Sequence, residues 1–345
     1  MMEIEKSVLL NHLEILQSVS GSSRINTDLS NKVIISEEGL INSFQGAFVT
    51  FIKQVFDING VFDLPTFLNV IKSMNSDLIT LEDNDEKKEI ILSAGKTKVG
   101  LKKISIDNLD EIIESINIKK GGEKDLDENF LKALGLCIPC SSKGNTSLTN
   151  ILIEKGKIVG SDNDKIGIYQ NIKMDIDKTW LIENELASKI IKINPVKFKV
   201  LKNKVCFFRS DDIYSICSLS DVTFPDLDKI MEKKTDYEIP IPKELKEGID
   251  LSIGLFSSTK EQEKLIHVSL LKNRVVLRTE NDLGWMDKTI RMKYSDKEFS
   301  FWINSLLFKE MIEKSELFKI SEERIARFDL DDFVCILPIE FKEYK

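Results

Sequence analysis

An aromatic residue stands before the second helix-like stretch in each third of this chain: Phe62, Trp180 and Trp302, spaced by about 118 and about 122 residues. A period of that size is one small domain, far longer than the roughly 20–50 residues of a solenoid repeat. The order around each aromatic is the same: a helix, a strand pair, a second helix, then a meander of strands. The middle copy is the clearest. Residues 148–172 read as strand, turn and strand. Residues 182–193 carry Ile182, Leu186, Ile190 and Ile193 at helical spacing, with Lys189 and Lys192 assigned to the outside. Strands at 198–201, 204–210 and 213–219 follow, and the copy ends at Phe224-Pro225-Asp226.

The first copy opens with a helix over 7–19, its apolar residues at Val8, Leu9, Leu13, Leu16 and Val19. Strands at 32–36 and 40–55 follow, and Leu64-Pro65 starts a second helix, Pro being well placed in a first turn. Strands at 78–82, 89–94 and 98–104 close the copy. The third copy has a weaker helix at 243–255, interrupted by Gly248 and Gly254, strands at 265–271, 274–279 and 289–293, and a last helix at 305–315. Charged stretches at 119–124 and 232–236 separate the copies, giving domains 1–120, 121–234 and 235–345. This order predicts an α+β fold of three tandem domains, helices on one face of antiparallel sheet.

Composition narrows the function. Apolar residues are 42% and charged residues 31%, as in globular proteins. The net charge of −8 argues against a tight grip on nucleic acid. No apolar run reaches the roughly 18 residues of a membrane span, and the first residues lack a secretory pattern, so a cytoplasmic location is expected. Cys137-Ile138-Pro139-Cys140 reads as a redox pair, half a zinc site, or two small half-buried residues at a helix end; the chain offers only His12 and His267 to complete a zinc site. Asp162-Asn163-Asp164 opens like a calcium loop but lacks its glycine and distal Glu, which leaves a turn. No phosphate-binding glycine loop, zinc-protease motif or nucleophile elbow is present, so neither an enzyme nor a cofactor is expected. Lys72, Lys132, Lys189, Lys192, Lys243, Lys246, Lys309 and Lys314 lie opposite the apolar helix stripes. Together they predict a locally basic surface that positions phosphates without reading sequence.

Four stretches, in order and in register with the repeat, resemble the bacterial-type DNA sliding clamp, the β subunit family of the replicative polymerase. Ser93-Ala94-Gly95-Lys96-Thr97-Lys98-Val99-Gly100-Leu101 is similar to its S-G-[KR]-S-[KR]-F-x-L. Val159-Gly160-Ser161-Asp162-Asn163-Asp164-Lys165-Ile166 resembles V-A-T-D-G-H-R-L, Phe224-Pro225-Asp226-Leu227 resembles F-P-D-Y, and Phe333-Val334-Cys335-Ile336-Leu337-Pro338-Ile339 resembles Y-V-V-M-P-M.

The resemblance implies a head-to-tail homodimer ring, helices lining the hole and sheets outside, that encircles double-stranded DNA without sequence preference. It implies DNA polymerase and a clamp loader as partners; the alternative is a clamp-fold scaffold that does not encircle DNA. Arg24 matches a DNA-touching position, joined by Lys72, Lys132, Lys189 and Lys192 of the lysine face. Val99 and Leu101 align with the dimer seam, and Leu255 and Phe256 with its apolar partners. Leu148, Ser161, Asn163, Lys165, Ile166, Cys335, Leu337 and Pro338 align with a pocket for short partner peptides. The chain departs from the pattern at Asn163-Asp164-Lys165, at Glu232 where a proline is expected, and in the residues after Ile339; a phage-encoded or remote member is the reading these suggest.

Overall fold

The computed structural model describes residues 1–21, 29–106, 112, 113, 116, 118, 121–144, 147–256 and 264–342. The first repeat runs β1 (Met2–Glu5), α1 (Lys6–Val19), β2 (Lys32–Ile35), β3 (Gly39–Phe44), β4 (Phe48–Lys53), β5 (Gly60–Asp63), α2 (Leu64–Ser73), β6 (Leu78–Asn84), β7 (Glu89–Ala94) and β8 (Thr97–Lys102). The second runs β9 (Lys124–Asp125), α3 (Phe130–Cys137), β10 (Asn150–Glu154), β11 (Gly156–Ser161), β12 (Ile166–Ile172), β13 (Trp180–Glu183), α4 (Asn184–Ile193), β14 (Lys197–Val200), β15 (Lys204–Ser210) and β16 (Ile213–Ser218). The third runs β17 (Tyr237–Pro240), α5 (Lys243–Leu255), β18 (Leu265–Leu271), β19 (Arg274–Asn281), β20 (Gly284–Arg291), β21 (Phe299–Asn304), α6 (Ser305–Ile312), β22 (Leu317–Ser321), β23 (Ile325–Leu330) and β24 (Phe333–Pro338). The element order is the same three times.

Each marker aromatic lies in the strand that feeds the second helix. Phe62 is in β5, Trp180 in β13 and Trp302 in β21. At two of the three junctions the last strand residue caps the helix with its side chain, while Glu183 before α4 does not. The Asp63 side chain accepts from Thr66 N, with Pro65 in the first turn, and the Asn304 side chain accepts from Leu306 N and Leu307 N. Asn194, in the left-handed region at φ 55°, ends α4.

The chain packs as two compact units, Met1–Gly135 with Lys173–Asp221, and Leu136–Ile172 with Val222–Lys345. In the first unit, one four-stranded sheet has the order β1-β6-β7-β8 and an eight-stranded sheet has β5-β2-β3-β4-β16-β15-β14-β9. In the second, the four-stranded sheet is β20-β19-β18-β21, and a longer sheet contains the run β10-β11-β12-β24-β23-β22-β17. The long sheets join one repeat to the next. β4 pairs with β16 from Phe48↔Cys217 to Ile52↔Ile213, and a buried Thr50–Ser215 hydroxyl bond of 2.9 Å reinforces that seam. β12 pairs with β24 from Ile166↔Ile336 to Tyr169↔Phe333.

Helix faces bury as their periodicity requires. Leu9, Leu13, Leu16 and Val19 of α1 are fully buried, and α1 packs against α2 and α4. Val8, expected on that stripe, is exposed, and Ile15 is buried instead. In the second unit α5 packs on α6, over a core where the Phe308 ring lies 5.3 Å from that of Phe318. Gly248, unexpected inside α5, has a reason: a Cβ there would meet Leu277 Cδ1 at 2.5 Å.

Three of the boundaries that differ from the sequence reading have a clear local cause. The expected strand over 40–55 is a hairpin, broken at Gln45 and Gly46, both with positive φ. The expected helix at 182 starts at Asn184, because Trp180–Glu183 extends as β13. The strand expected at 289–293 is the end of the longer β20, which turns back on β19 where Asn281 Oδ1 accepts from Leu283 N and Gly284 N.

Candidate functional site

A pocket of about 400 Å³ opens in the second unit among the β11–β12 turn, the β22–β23 hairpin, the end of β24 and the segment after Phe224. Its base is a cluster of Val159, Ile166, Ile168, Ile325, Val334 and Ile336, all buried, with Phe224, Leu227, Ile230 and Met231 packed over it. Lys157 holds the helical turn Asp228–Met231 over that cluster, its Nζ 3.3 Å from Asp228 Oδ1 and 2.7 Å from Glu154 Oε1. On the other wall, Asp162 Oδ1 accepts from Asp164 N at 2.8 Å and Lys165 N at 2.7 Å, which fixes the turn expected there. Burial raises the Asp162 carboxyl above its ordinary range, against the pull of those two N–H donors.

Of the eight residues aligned with a peptide pocket, Leu148, Ser161, Asn163, Lys165, Ile166 and Pro338 line this one. Cys335 and Leu337 do not. Side chains alternate along β24, so Ile336 and Pro338 face the pocket while Cys335 and Leu337 face away. Cys335 is fully buried beside Cys140, and Leu337 lines a separate recess with Trp302 and Leu307. The reading missed Ile336, Leu227, Ile230, Ile325 and Arg324. Strand parity counted from Pro338 points to Ile336, and the three-residue spacing of Leu227 and Ile230 was also visible.

Two sheet edges carry apolar groups. β8 ends its sheet, with Val99 and Leu101 half-buried along it. β20 ends another, and around it Trp285 is 72% exposed, Leu283 66% and Leu251 58%. Leu255 ends α5 beside the β19–β20 turn, where its carbonyl accepts from Asn281 Nδ2 at 2.7 Å. Phe256 corrects the sequence reading: it is 3% exposed, an anchor of its own core, so it offers nothing to a seam. Leu251, Leu283 and Trp285 supply the exposed apolar surface instead.

No protein-family model matches the sequence, and no curated protein matches it. Solved structures do. The chain superposes on the DNA polymerase III beta chain of Streptococcus pneumoniae with a TM-score of 0.83, at 16% identity, over 99% of both chains. The fold is that of the bacterial sliding clamp. The beta subunit of Thermotoga maritima matches at TM-score 0.82 and 12% identity, over 99% of both chains. The Helicobacter pylori beta clamp bound to a DNA ligase peptide matches at TM-score 0.75 and 16% identity, over 98% of this chain and 99% of that one.

Within this clamp fold the helix lysines divide. Lys132 and Lys192 are exposed. Lys72 is exposed and paired with Glu14 at 2.9 Å. Lys309 pairs with Asp250 at 2.5 Å, and Lys314 with Glu310 at 3.2 Å. Lys189 overturns its expected place outside: it is 4% exposed, its Nζ donates to Ser20 O at 3.2 Å, and it stands 3.6 Å over the Phe44 ring. The cause is α1, which covers the side of α4 next to its apolar stripe. Burial lowers the Lys189 pKa, Glu185 opposing and Lys192 adding to the shift. Arg24 lies outside the described residues.

The Cys137 thiol donates to Ile158 O at 3.3 Å, and burial pushes its pKa far up, which makes it a poor nucleophile. Among the described residues no group of three or more His, Cys, Asp or Glu side chains could hold a metal ion. No helix among them is long and apolar enough to cross a membrane.

Proposed function

We propose that this chain is a DNA sliding clamp: a non-catalytic protein of which two copies close head to tail around duplex DNA in the cytoplasm and tether a DNA polymerase and other partners. One observation carries the reading. The correspondence with the Streptococcus pneumoniae beta chain runs from end to end of both chains, so all three repeats are accounted for. The repeats 1–120, 121–234 and 235–345 are then the three clamp domains. Enclosure needs no tight grip, which suits a net charge of −8, with Lys72, Lys132, Lys192 and Arg24 offered to the phosphates. The β8 and β20 edges are the proposed seam. The pocket under Leu227 and Ile230 is the proposed peptide site, by analogy with the clamp bound to a DNA ligase peptide. Opening of the ring falls to a clamp loader.

A clamp-fold scaffold that does not encircle DNA draws on one observation, the pairing of Lys72, Lys309 and Lys314 with carboxylates, which weakens the helix-face charge. One experiment separates the two. The protein is loaded on nicked circular DNA, which is then cut once. A clamp slides off the free ends; retention after cutting would refute enclosure.

A further inference from the structure

The peptide pocket carries charges that its apolar base does not require. Lys165, Lys233 and Arg324 stand on its walls with two carboxylates, Asp162 and Glu323. Both carboxylates are committed. Asp162 accepts from the N–H groups of its own turn. Glu323 holds Lys233, whose Nζ lies 3.1 Å from the Glu323 carbonyl oxygen and 3.5 Å from Oε2. The side chains of Lys165 and Arg324 make no ion pair among the described residues. Nearby cations of the same sheet do: Lys157 with Glu154 and Asp228, Lys319 and Arg327 with Asp329.

Arg324 adds a backbone observation. Its φ is 68°, in the left-handed region that a side chain with a Cβ rarely adopts. It is locked there from two directions: its N–H donates to Ser321 O at 3.1 Å, and its carbonyl accepts from Ile339 N at 3.0 Å. A glycine would relieve the strain, yet an exposed guanidinium occupies the position beside an apolar pocket. Two cations that form no ion pair among the described residues, brought by two different hairpins to the walls of one apolar pocket, are complementary to a ligand with both apolar anchors and carboxylates.

We infer that the pocket selects acidic peptides: short partner segments whose leucine or phenylalanine anchors are flanked by Asp or Glu, with Arg324 as the main specificity-determining residue and Lys165 as the second. This rests on reading the pocket as the peptide site. The anchors fill the space between Ile336 and Leu227, and the flanking carboxylates meet the two cations.

The test uses the full chain and two fluorescein-labelled peptides. One has a Leu-Phe anchor flanked by two aspartates; the other has asparagine at both flanking positions. Fluorescence anisotropy at low salt is expected to show the aspartate peptide binding about tenfold tighter, a ratio that shrinks several-fold near 0.5 M salt (an approximate figure). Arg324→Gly, which the left-handed backbone accepts without strain, is expected to bring the ratio close to one, and Arg324→Lys to keep part of it. Equal binding of the two peptides, or a ratio unchanged in Arg324→Gly, overturns the inference and leaves the peptide site standing. Binding of neither peptide overturns both.

Discussion

On α4, Lys189 follows Leu186 by three positions and precedes Ile193 by four, so it borders the buried stripe on the side that α1 covers. The helical period told which residues face the sheet; it did not tell that a second helix would close over the neighbouring strip. The ammonium stays buried because it finds the Ser20 carbonyl and the Phe44 ring. Replacing Lys189 with Met keeps the packing and removes the charge, so stability in urea is expected to change by less than about 1 kcal/mol. Lys189→Glu turns a carboxylate onto a carbonyl and a ring face, and is expected to cost about 3 kcal/mol or more. The pH dependence has a definite sign. The folded pKa lies below that of an ordinary lysine, so the unfolded chain binds more protons in the window between the two and stability rises as pH climbs through it. Lys189→Met removes that slope. Phe256 and Cys335 misled for a related reason: alignment names a position, and only packing tells which way its side chain points.

Elements were more legible than residues. Apolar spacing gave the helices, and the three aromatics marked the strand-to-helix junctions, because each lies in the strand that runs directly into the helix. What failed was the hairpin at Gln45, since glutamine is an unusual residue for positive φ and signals no turn. Strand parity was legible too, yet alignment by motif overrode it at Cys335 and Leu337. Two glycines now separate by their surroundings. Gly160 in β11 points its missing Cβ at the Cys137 carbonyl, so Gly160→Ala is expected to destabilise by about 2–3 kcal/mol. Gly135 in α3 has nothing within 4 Å, so Gly135→Ala is expected to stabilise by up to about 1 kcal/mol. Thermal midpoints of the two variants should move in opposite directions, and a fall in both would contradict the placement of α3.

At the scale of the whole molecule, the threefold order was readable end to end, while only the β8 side of the proposed seam was. Trp285 and Leu283 sit in a stretch of mixed charge that has no pattern of its own, and only the position of β20 at a sheet edge gives them meaning. Trp285→Glu with Leu283→Glu is expected to convert the proposed dimer to monomer. The thermal midpoint should hold, because side chains so exposed contribute little to their own fold. Light scattering reads the mass; unchanged assembly would move the seam elsewhere. The seams β4–β16 and β12–β24 carry a different consequence. The middle third lends β14, β15 and β16 to one unit and β10, β11 and β12 to the other. Cut free, it would present two raw rows of amides and carbonyls, a template for fibrils. The shortest excised fragment that keeps either ladder whole must span two neighbouring thirds.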